Sequence, residues 1–527
     1  MTNSVNELEE AEAVLVVGSN TTEQHPIIGE KILAAKGKGA KLVVVDPRAI
    51  HLSDFADVYL QPRPGSEVAY LNGLMQVILA ERLEDKEFIE SRTEGFEELR
   101  RTVAEYTPEK VEEISGIPAE KLVEAARIYG GAERASIVYC MGITQHTTGT
   151  DNVMSLANLA MLTGNVGLPC TGVNPLRGQN NVQGACDLGG LPNVYTGYQK
   201  VADEAAAARF EEAWGVEALS REPGLTVTEM LDKAHEGELH ALYIMGENPA
   251  VSDPDINHVR EALEKLDFLV AADIMENETI QYADVVLPAA SFAEKNGTIT
   301  NTERRVQRIR KAIEPVGESK ADWEIASLIA RKMGASGFDY SSAEEVFEEI
   351  RKVTPSYAGV SYKRIGTQGL QWPCPDEDHP GTPILHAGGF ARGKGKFAIC
   401  EFKEPAETPD DEYPLILTTG RLLFHYHTGT MTRRSPSLVR EINKAFVEVN
   451  PEDASNLGIR DKDKVKVSSR RGSVEVEAKV TDRVKKGVIF MPFHFAEVAV
   501  NTLTNSALDP VSKIPEYKVC AARIDAI

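Results

Sequence analysis

Short runs of aliphatic and β-branched residues punctuate the first half of the chain, with helix-period stretches between them. Ala13–Val17 (AVLVV) stops at Gly18-Ser19-Asn20, and Lys41–Val45 (KLVVV) stops at Asp46-Pro47-Arg48. Neither run alternates apolar with polar, so both read as parallel strands buried on two faces. Ile27–Lys36 supplies the crossover helix of a βαβ unit. Helical periodicity returns over Glu67–Leu83 and onward to Ile128, a strand follows at Ser136–Cys140, and Asn152–Leu162 is helical up to Gly164. A second set has strands at Ala241–Met245, Phe268–Ala272 and Ala283–Leu287, with a helix at Asp255–Leu266. After Phe402 the pattern changes. An acidic, proline-containing stretch (EFKEPAETPDDEYP) reads as a linker. Short strands follow at Leu415–Thr419, Ala445–Val449, Lys464–Ser468, Val474–Val480 and Gly487–Met491, with a helix at Pro451–Asn456. Such spacing predicts a small β-barrel or sandwich. The expected architecture is α/β, with doubly wound parallel-sheet domains and a C-terminal β domain. The expected boundaries are 1–178, 179–407 and 408–527.

Composition narrows the function classes. The chain has 527 residues, and its charge sum is 57 − 80 = −23. A surface of that sign repels phosphate backbones, which argues against general nucleic-acid binding. The six cysteines include no CxxC pair, which points to a reducing compartment and away from a zinc ribbon or an iron–sulfur site in these residues. No apolar run approaches the roughly 20 residues of a membrane span. The acidic first residues, MTNSVNELEEAEAV, lack the basic and apolar regions of a signal peptide. The expectation is a cytoplasmic protein.

Candidate chemistry lies in the loops. Strand after strand ends in Gly, Asn, Asp or Pro, and in open parallel sheets those ends line the ligand crevice; taken singly, each is equally a plain turn. The longest such segment is Gly172–Gly190, GVNPLRGQNNVQGACDLGG, which has little helix or strand potential. Its amides offer paired donors and acceptors for a heteroaromatic edge, and Arg177 offers a planar fork for a carboxylate or phosphate. The alternative is an ordered linker with Arg177 in a surface ion pair. His146 is either a satisfied loop histidine or part of a pocket. His425-Tyr426-His427 reads as a metal pair only if a third ligand lies nearby. Glu294–Gly297 with Asn301–Arg305 reads as a turn and a basic strand whose charges are mostly solvated. The cysteines read as inert, and neither a Ser/His/Asp triad nor a Walker loop is apparent.

Ordered blocks along the whole chain carry a resemblance. They include SNTTEQHPII, VVVDPRAIHLSDFADVYLQPRPGSEVAYLNG, MGITQHTTGTDNVMSLANLAMLTGN, NPLRGQNNVQGACDLGGLPNVYTGY, MGENPAVSDPD, ADVVLPAASFAEKNGTITNTERRVQ, EYPLILTTGR and HTGTMTRR. The chain resembles the catalytic subunits of molybdopterin-dependent formate dehydrogenases, in the molybdopterin oxidoreductase (dimethyl sulfoxide reductase) family. The resemblance implies an anaerobic-type oxidoreductase that oxidises formate to CO2, or the reverse, on molybdenum or tungsten held by two molybdopterin guanine dinucleotides. It implies Arg177 as the catalytic grip on formate. As cofactor contacts it implies Gly18, Asn20, Asp46, Arg48, Glu67, Gly142, Gln145 and His146 in the first domain. Gly178, Asn180, Gly246, Glu247, Asn248 and Asp273 follow from the middle of the chain. Thr419, Gly420, Arg421, His425, His427, Thr428, Asn501 and Lys518 come from the last domain. Asp46, Glu67 and Asp273 are the carboxylates suited to a guanine edge, Glu67 standing where relatives more often carry Asp.

The family pattern also implies parts not found in this sequence. These are an N-terminal domain with a [4Fe–4S] cluster, and a cysteine or selenocysteine metal ligand followed by histidine. The expectation is that the chain corresponds to the region just past that ligand, through a gene model restarted after a selenocysteine codon or through a naturally divided enzyme. An electron-transfer subunit with iron–sulfur centres or flavin is the expected partner. Two other functions fit the same sequence: a non-catalytic molybdopterin-binding module, or a family member acting on nitrate or an N- or S-oxide.

Overall fold

A computed structural model describes residues 1–527. The chain forms two compact units. One contains Met1–Gly178, Val251–Ile256 and Ile384–Ile527; the other contains Gln179–Ala250 and Asn257–Pro383.

The first unit is built on five parallel strands, β1 (Ala13–Val17), β2 (Lys41–Val45), β3 (Val58–Leu60), β4 (Ala135–Tyr139) and β5 (Gly172–Pro175), in the order β3-β2-β1-β4-β5. Every residue of β1 is buried. Val14 and Val16 enter one core with Ile28, Ile32, Leu42 and Val44, while Ala13, Leu15 and Val17 enter another with Val43, Leu71 and Leu74. Helices cover both faces, which is why these strands read as unbroken apolar runs rather than alternating ones. The strand order reverses between β1 and β4, so the loops leaving their carboxyl ends open a crevice there.

A closed six-stranded barrel completes this unit. Its strands are Leu415–Gly420, Phe446–Val449, Lys464–Ser468, Ser473–Val480, Val488–Pro492 and Cys520–Ala526. The last of them, like β3, carries no strong sequence signal. Cys520–Ala526 is held by antiparallel pairing to both Leu415–Gly420 and Lys464–Ser468, so closure itself defines it. Barrel and sheet are joined by a buried ion pair. Arg48, 5% exposed, donates Nε and Nη2 to the two carboxylate oxygens of Glu448, 0% exposed, at 2.6 and 3.0 Å. The guanidinium also lies 4.2 Å from the Phe490 ring centre.

The second unit has a parallel three-stranded sheet, β6 (Ala241–Met245), β7 (Phe268–Asp273) and β8 (Val285–Pro288). One face packs Leu242, Ile244 and Leu269 against helix residues Leu231, Ala234 and Val259. On the other, Tyr243, Met245 and Phe268 are half-exposed.

Two readings of the sequence are corrected here. Gly172–Gly190 is not irregular throughout: Gly172–Pro175 is strand β5 and Val182–Asp187 is helical. Both depend on partners distant in sequence, β4 for the strand, so local composition does not reveal them. The charges around Asn301–Arg305 are not all solvated either. Residues 301–304 turn between strands Gly297–Thr300 and Arg305–Ile309, and Arg304 is 2% exposed, donating to the carbonyls of Trp372, Thr382 and Pro383. A guanidinium with that many carbonyl acceptors needs no water.

Arg48→Met leaves Glu448 buried without its bidentate partner. Lys479, 3.2 Å away, remains, but urea unfolding is expected to show a loss of about 3–5 kcal/mol. Replacing Glu448 with Leu in the same chain should recover most of it.

Candidate functional site

The crevice between β1 and β4 opens into a cavity lined by polar side chains from both the sheet and the barrel. Its walls come from the first unit alone. Gly18, Asn20, Asp46, Arg48, Gly142, Gln145, Glu67 and His146 line it from the sheet side, and Thr419, Gly420, Arg421 and Lys518 from the barrel.

Glycine is structurally required at the narrowest point. Gly18 ends β1 with φ +56°, and its carbonyl accepts from Gly142 N at 3.1 Å. A Cβ on Gly142 would meet the Gly18 carbonyl oxygen at 2.6 Å, and one on Gly18 would meet the Gly142 carbonyl carbon at 2.7 Å. The loops leaving β1 and β4 are thus in backbone contact.

Several cavity-lining side chains have buried polar atoms with no partner in the protein: both amide atoms of Asn20, Nε2 of Gln24, Oε2 of Glu67 and Nε of Arg421. An unsatisfied buried group costs about 1–3 kcal/mol, so such atoms converging on one cavity mark a place for a polar ligand. The set contains both donors and acceptors.

Electrostatics sort the titratable groups. Burial, with the nearby Arg421 charge, lowers His25 and His427 to about 4. Burial likewise lowers His494 to about 3. These imidazoles are neutral at pH 7. Lys518, which donates to the Thr419 carbonyl at 2.7 Å, is lowered to about 8 by burial and then by Arg421. Arg421 and Lys518 therefore carry the positive charge of the barrel wall. Asp46, at the end of β2, accepts from Arg48 N at 3.0 Å, and burial raises it to about 6.

His146 is fully enclosed. Its Nδ1 lies 3.2 Å from Glu516 Oε1, its Nε2 lies 3.6 Å from Glu67 Oε1, and Nε2 is 3.0 Å from the Gly142 carbonyl. Burial acts to lower its pKa, but the two carboxylates outweigh that and raise it to about 9. Of the two alternatives for this residue the pocket one holds: His146 lines the cavity, and its Nδ1 is buried without a hydrogen-bond partner although Glu516 stands beside it.

The remaining candidates lie elsewhere. Arg177 is half-buried just beyond β5, near enough to Tyr139 to influence its hydroxyl, and the Gly178 carbonyl accepts from Arg421 Nη1 at 2.8 Å. His425 is held by the Ile442 carbonyl and Thr432, with its ring edge-on to Phe495. The His427 carbonyl accepts from His494. Thr428 pairs with Thr430 at 3.0 Å. Asn501 donates to the carbonyls of Val251 and Ser252 at 3.1 and 2.8 Å, and its Oδ1 is buried without a partner. In the second unit, Gly246, Glu247 and Asn248 follow β6, and Asp273 ends β7 at the same carboxyl edge. Asn248 is buried, bonded to Glu278 and Thr279, and Asp273 accepts from Asn277 at 2.7 Å. Asn180 is exposed.

Sequence reasoning misses Gln24, His25, Cys140, Phe490, Phe493 and Glu516. Gln24 and His25 were within reach, because they continue the polar stretch after Asn20 and precede Pro26 of the crossover helix. Glu516 has no local signal; only the fold brings it to His146.

Gly142→Ala should cost about 1–3 kcal/mol by forcing the two loops apart, measured as a lowered unfolding midpoint. His146 makes stability pH-dependent. A histidine whose folded pKa exceeds its unfolded value stabilises fully below about 6.5, and that contribution disappears as pH rises through about 9. Melting temperature is therefore expected to fall between pH 6.5 and 9, and His146→Gln to flatten that decline.

A profile described as "Molybdopterin oxidoreductase" matches residues 1–332, and one described as "Molydopterin dinucleotide binding domain" matches residues 415–521. The chain is 55% identical over 530 residues to the F420-dependent formate dehydrogenase 1 subunit alpha of Methanococcus maripaludis, covering 100% of this chain and 78% of that protein. It is 56% identical over 530 residues to the F420-dependent formate dehydrogenase subunit alpha of Methanocaldococcus jannaschii, again with 100% and 78% covered. To formate dehydrogenase H of Escherichia coli it is 42% identical over 533 residues, covering 100% and 74%. Among solved structures, acetylene hydratase from Pelobacter acetylenicus superposes with a TM-score of 0.78 at 19% identity, over 99% of this chain and 81% of that one; that likeness concerns the fold.

Proposed function

This chain belongs to the molybdopterin oxidoreductase family, and from that premise we propose that it oxidises formate to CO2, or runs the reverse reaction, as an alpha subunit of a formate dehydrogenase. The observation that carries this reading is identity above 50% along the entire chain to formate dehydrogenase alpha subunits.

The cavity fits the cofactor by its chemistry. A pterin guanine dinucleotide brings a pyrophosphate and a guanine. The cationic Arg421 and Lys518, with Gln24 Nε2 and Asn20 Nδ2, suit the first. The acceptors Asp46 and Glu67 suit the adjacent N–H donors of the second. The close Gly18–Gly142 backbone contact leaves no side chain between ligand and loop. The carboxyl edge of the second sheet, with Gly246, Glu247, Asn248 and Asp273, is the proposed place for a second dinucleotide. The pterin-held molybdenum or tungsten, when bound, would supply a two-electron acceptor for formate oxidation.

The chain's own part is to hold and orient. Arg177 is proposed to grip the formate carboxylate with both arms of its fork, fixing the direction of the C–H bond. His146, protonated at neutral pH, stands between Glu67 and Glu516, and Glu67 Oε2 is left without a partner in the protein. An electron-transfer subunit with iron–sulfur centres or flavin completes the proposed assembly. No helix here is long and apolar enough to cross a membrane, and the cytoplasm is the proposed location.

Formate-dependent dye reduction by protein purified from its source, with molybdenum and tungsten assayed on the same sample, tests the proposal. Activity with either metal supports it; pterin and metal without formate turnover would refute it. Arg177→Lys replaces a fork with a point charge, and kcat/KM for formate should fall roughly 30- to 150-fold, equivalent to about 2–3 kcal/mol. Near-normal kinetics would remove Arg177 from the mechanism.

A further inference from the structure

One buried histidine of the first unit has no part in the mechanism above. His494 is 0% exposed and stands just past the barrel strand Val488–Pro492. Its neighbour Phe493 lines the cavity; His494 does not. Both of its ring nitrogens are occupied by main chain. Nε2 accepts from the Leu422 amide at 2.8 Å, and Nδ1 donates to the His427 carbonyl. An acceptor at one nitrogen and a donor at the other define a single neutral tautomer. A protonated ring carries two donors and could not accept from Leu422.

Those two bonds fall on a segment without a ladder of its own. Residues 421–428 form neither helix nor strand, yet they carry Arg421, His425, His427 and Thr428. The segment begins and ends on the same two residues. Phe493 N donates to the Gly420 carbonyl at 3.3 Å, and a Cβ on Gly429, which has φ +78°, would meet the His494 carbonyl oxygen at 2.6 Å. The loop is thus wrapped around Phe493 and His494. A buried amide in such a loop must find an acceptor, and for buried Leu422 that acceptor is the imidazole. Leu422 directly follows Arg421, so the bond fixes the peptide plane from which the Arg421 side chain leaves. The far end of that side chain is held separately. Its Nη1 donates to the Gly178 carbonyl at 2.8 Å, and the guanidinium lies 5.6 Å from the Phe493 ring centre. Between these two fixed ends, Nε is left as a buried donor without a protein partner.

We infer that His494 is a positioning residue for the dinucleotide: by holding the Leu422 amide and the His427 carbonyl it fixes the loop that presents Arg421 to the anionic part of the cofactor. The inference rests on the reading of this cavity as the seat of a pterin guanine dinucleotide. A guanidinium binds phosphate through direction as well as charge. One that is free to swing keeps the charge and loses the bond.

Two substitutions in the holoenzyme separate the two bonds. In His494→Gln the side-chain carbonyl reaches the place of Nε2 and keeps an acceptor for Leu422 N. In His494→Asn the NH2 stands in for Nδ1–H, and that acceptor is lost. During dialysis at raised salt, pterin and metal are expected to leave His494→Asn about tenfold faster than wild type, and His494→Gln within about threefold of wild type. Hydrogen–deuterium exchange of residues 421–429 should accelerate about tenfold in His494→Asn, with β1 unchanged. Equal loss of cofactor from both variants would overturn the inference, because a role in packing alone does not depend on which bond survives. Faster exchange without faster cofactor loss would overturn the link to the dinucleotide. Where neither variant folds, wild-type exchange decides: peptides covering Leu422 should be protected as strongly as strand Val488–Pro492, and exchange at the rate of a free loop would overturn the anchor. Arg421→Gln tells the two failures apart. Unchanged retention there would refute the cavity as the cofactor's seat, whereas loss there with full retention in His494→Asn would refute His494 alone.

Discussion

The arrangement around the cavity depends on one buried charge pair. Arg48 follows directly from the strand end that carries Asp46, and Glu448 lies on a barrel strand 400 residues later. Two charges without water are stable only when each satisfies the other in good geometry, and the bidentate contact provides that. The pair also fixes Asp46, whose carboxylate accepts the Arg48 amide, and sets the Arg48 guanidinium against Phe490. Sheet edge and barrel wall are therefore placed together, and the cavity is the space they leave.

The polar lining follows a consistent division. Apart from Arg48, whose charge Glu448 answers, cations lie on the barrel side, with Arg421 and Lys518, and carboxylates lie on the sheet side, with Asp46 and Glu67. Three histidines that could blur this division are kept neutral by burial and by Arg421. His146, by contrast, is kept charged by its two carboxylates. Identical side chains thus take opposite charge states: burial decides three of them, and a pair of carboxylates outweighs burial in the fourth.

Much of this was legible in the sequence for a physical reason. Strands covered on both faces must be continuously apolar, and the loops that end them must turn sharply, so Gly18, Asp46 and Gly142 stand out at the close of runs such as AVLVV and KLVVV. Strand β6 (ALYIM) is just as continuously apolar, yet only one face of its sheet is packed, so the one-sidedness of that sheet is not legible from the run itself. Strand Cys520–Ala526, the helix Val182–Asp187 and the burial of Arg304 are decided by partners far away in the chain, and no local pattern encodes them. Glu516 belongs to the same class. Arg177 and Asn180 were singled out by residue type and resemblance; their surroundings here place one half-buried beyond β5 and the other exposed.

The meeting of Gly18 and Gly142 has an evolutionary consequence. Each forbidden Cβ strikes main-chain atoms of the other loop, so there is no opposing side chain that could shrink to make room. Ordinary core positions drift in compensating pairs, a larger residue here offset by a smaller one there. These two cannot. They are frozen independently of which ligand the cavity takes, and descendants of this scaffold are free to recast Asp46, Glu67 or Arg421 for other chemistry while inheriting both glycines unchanged.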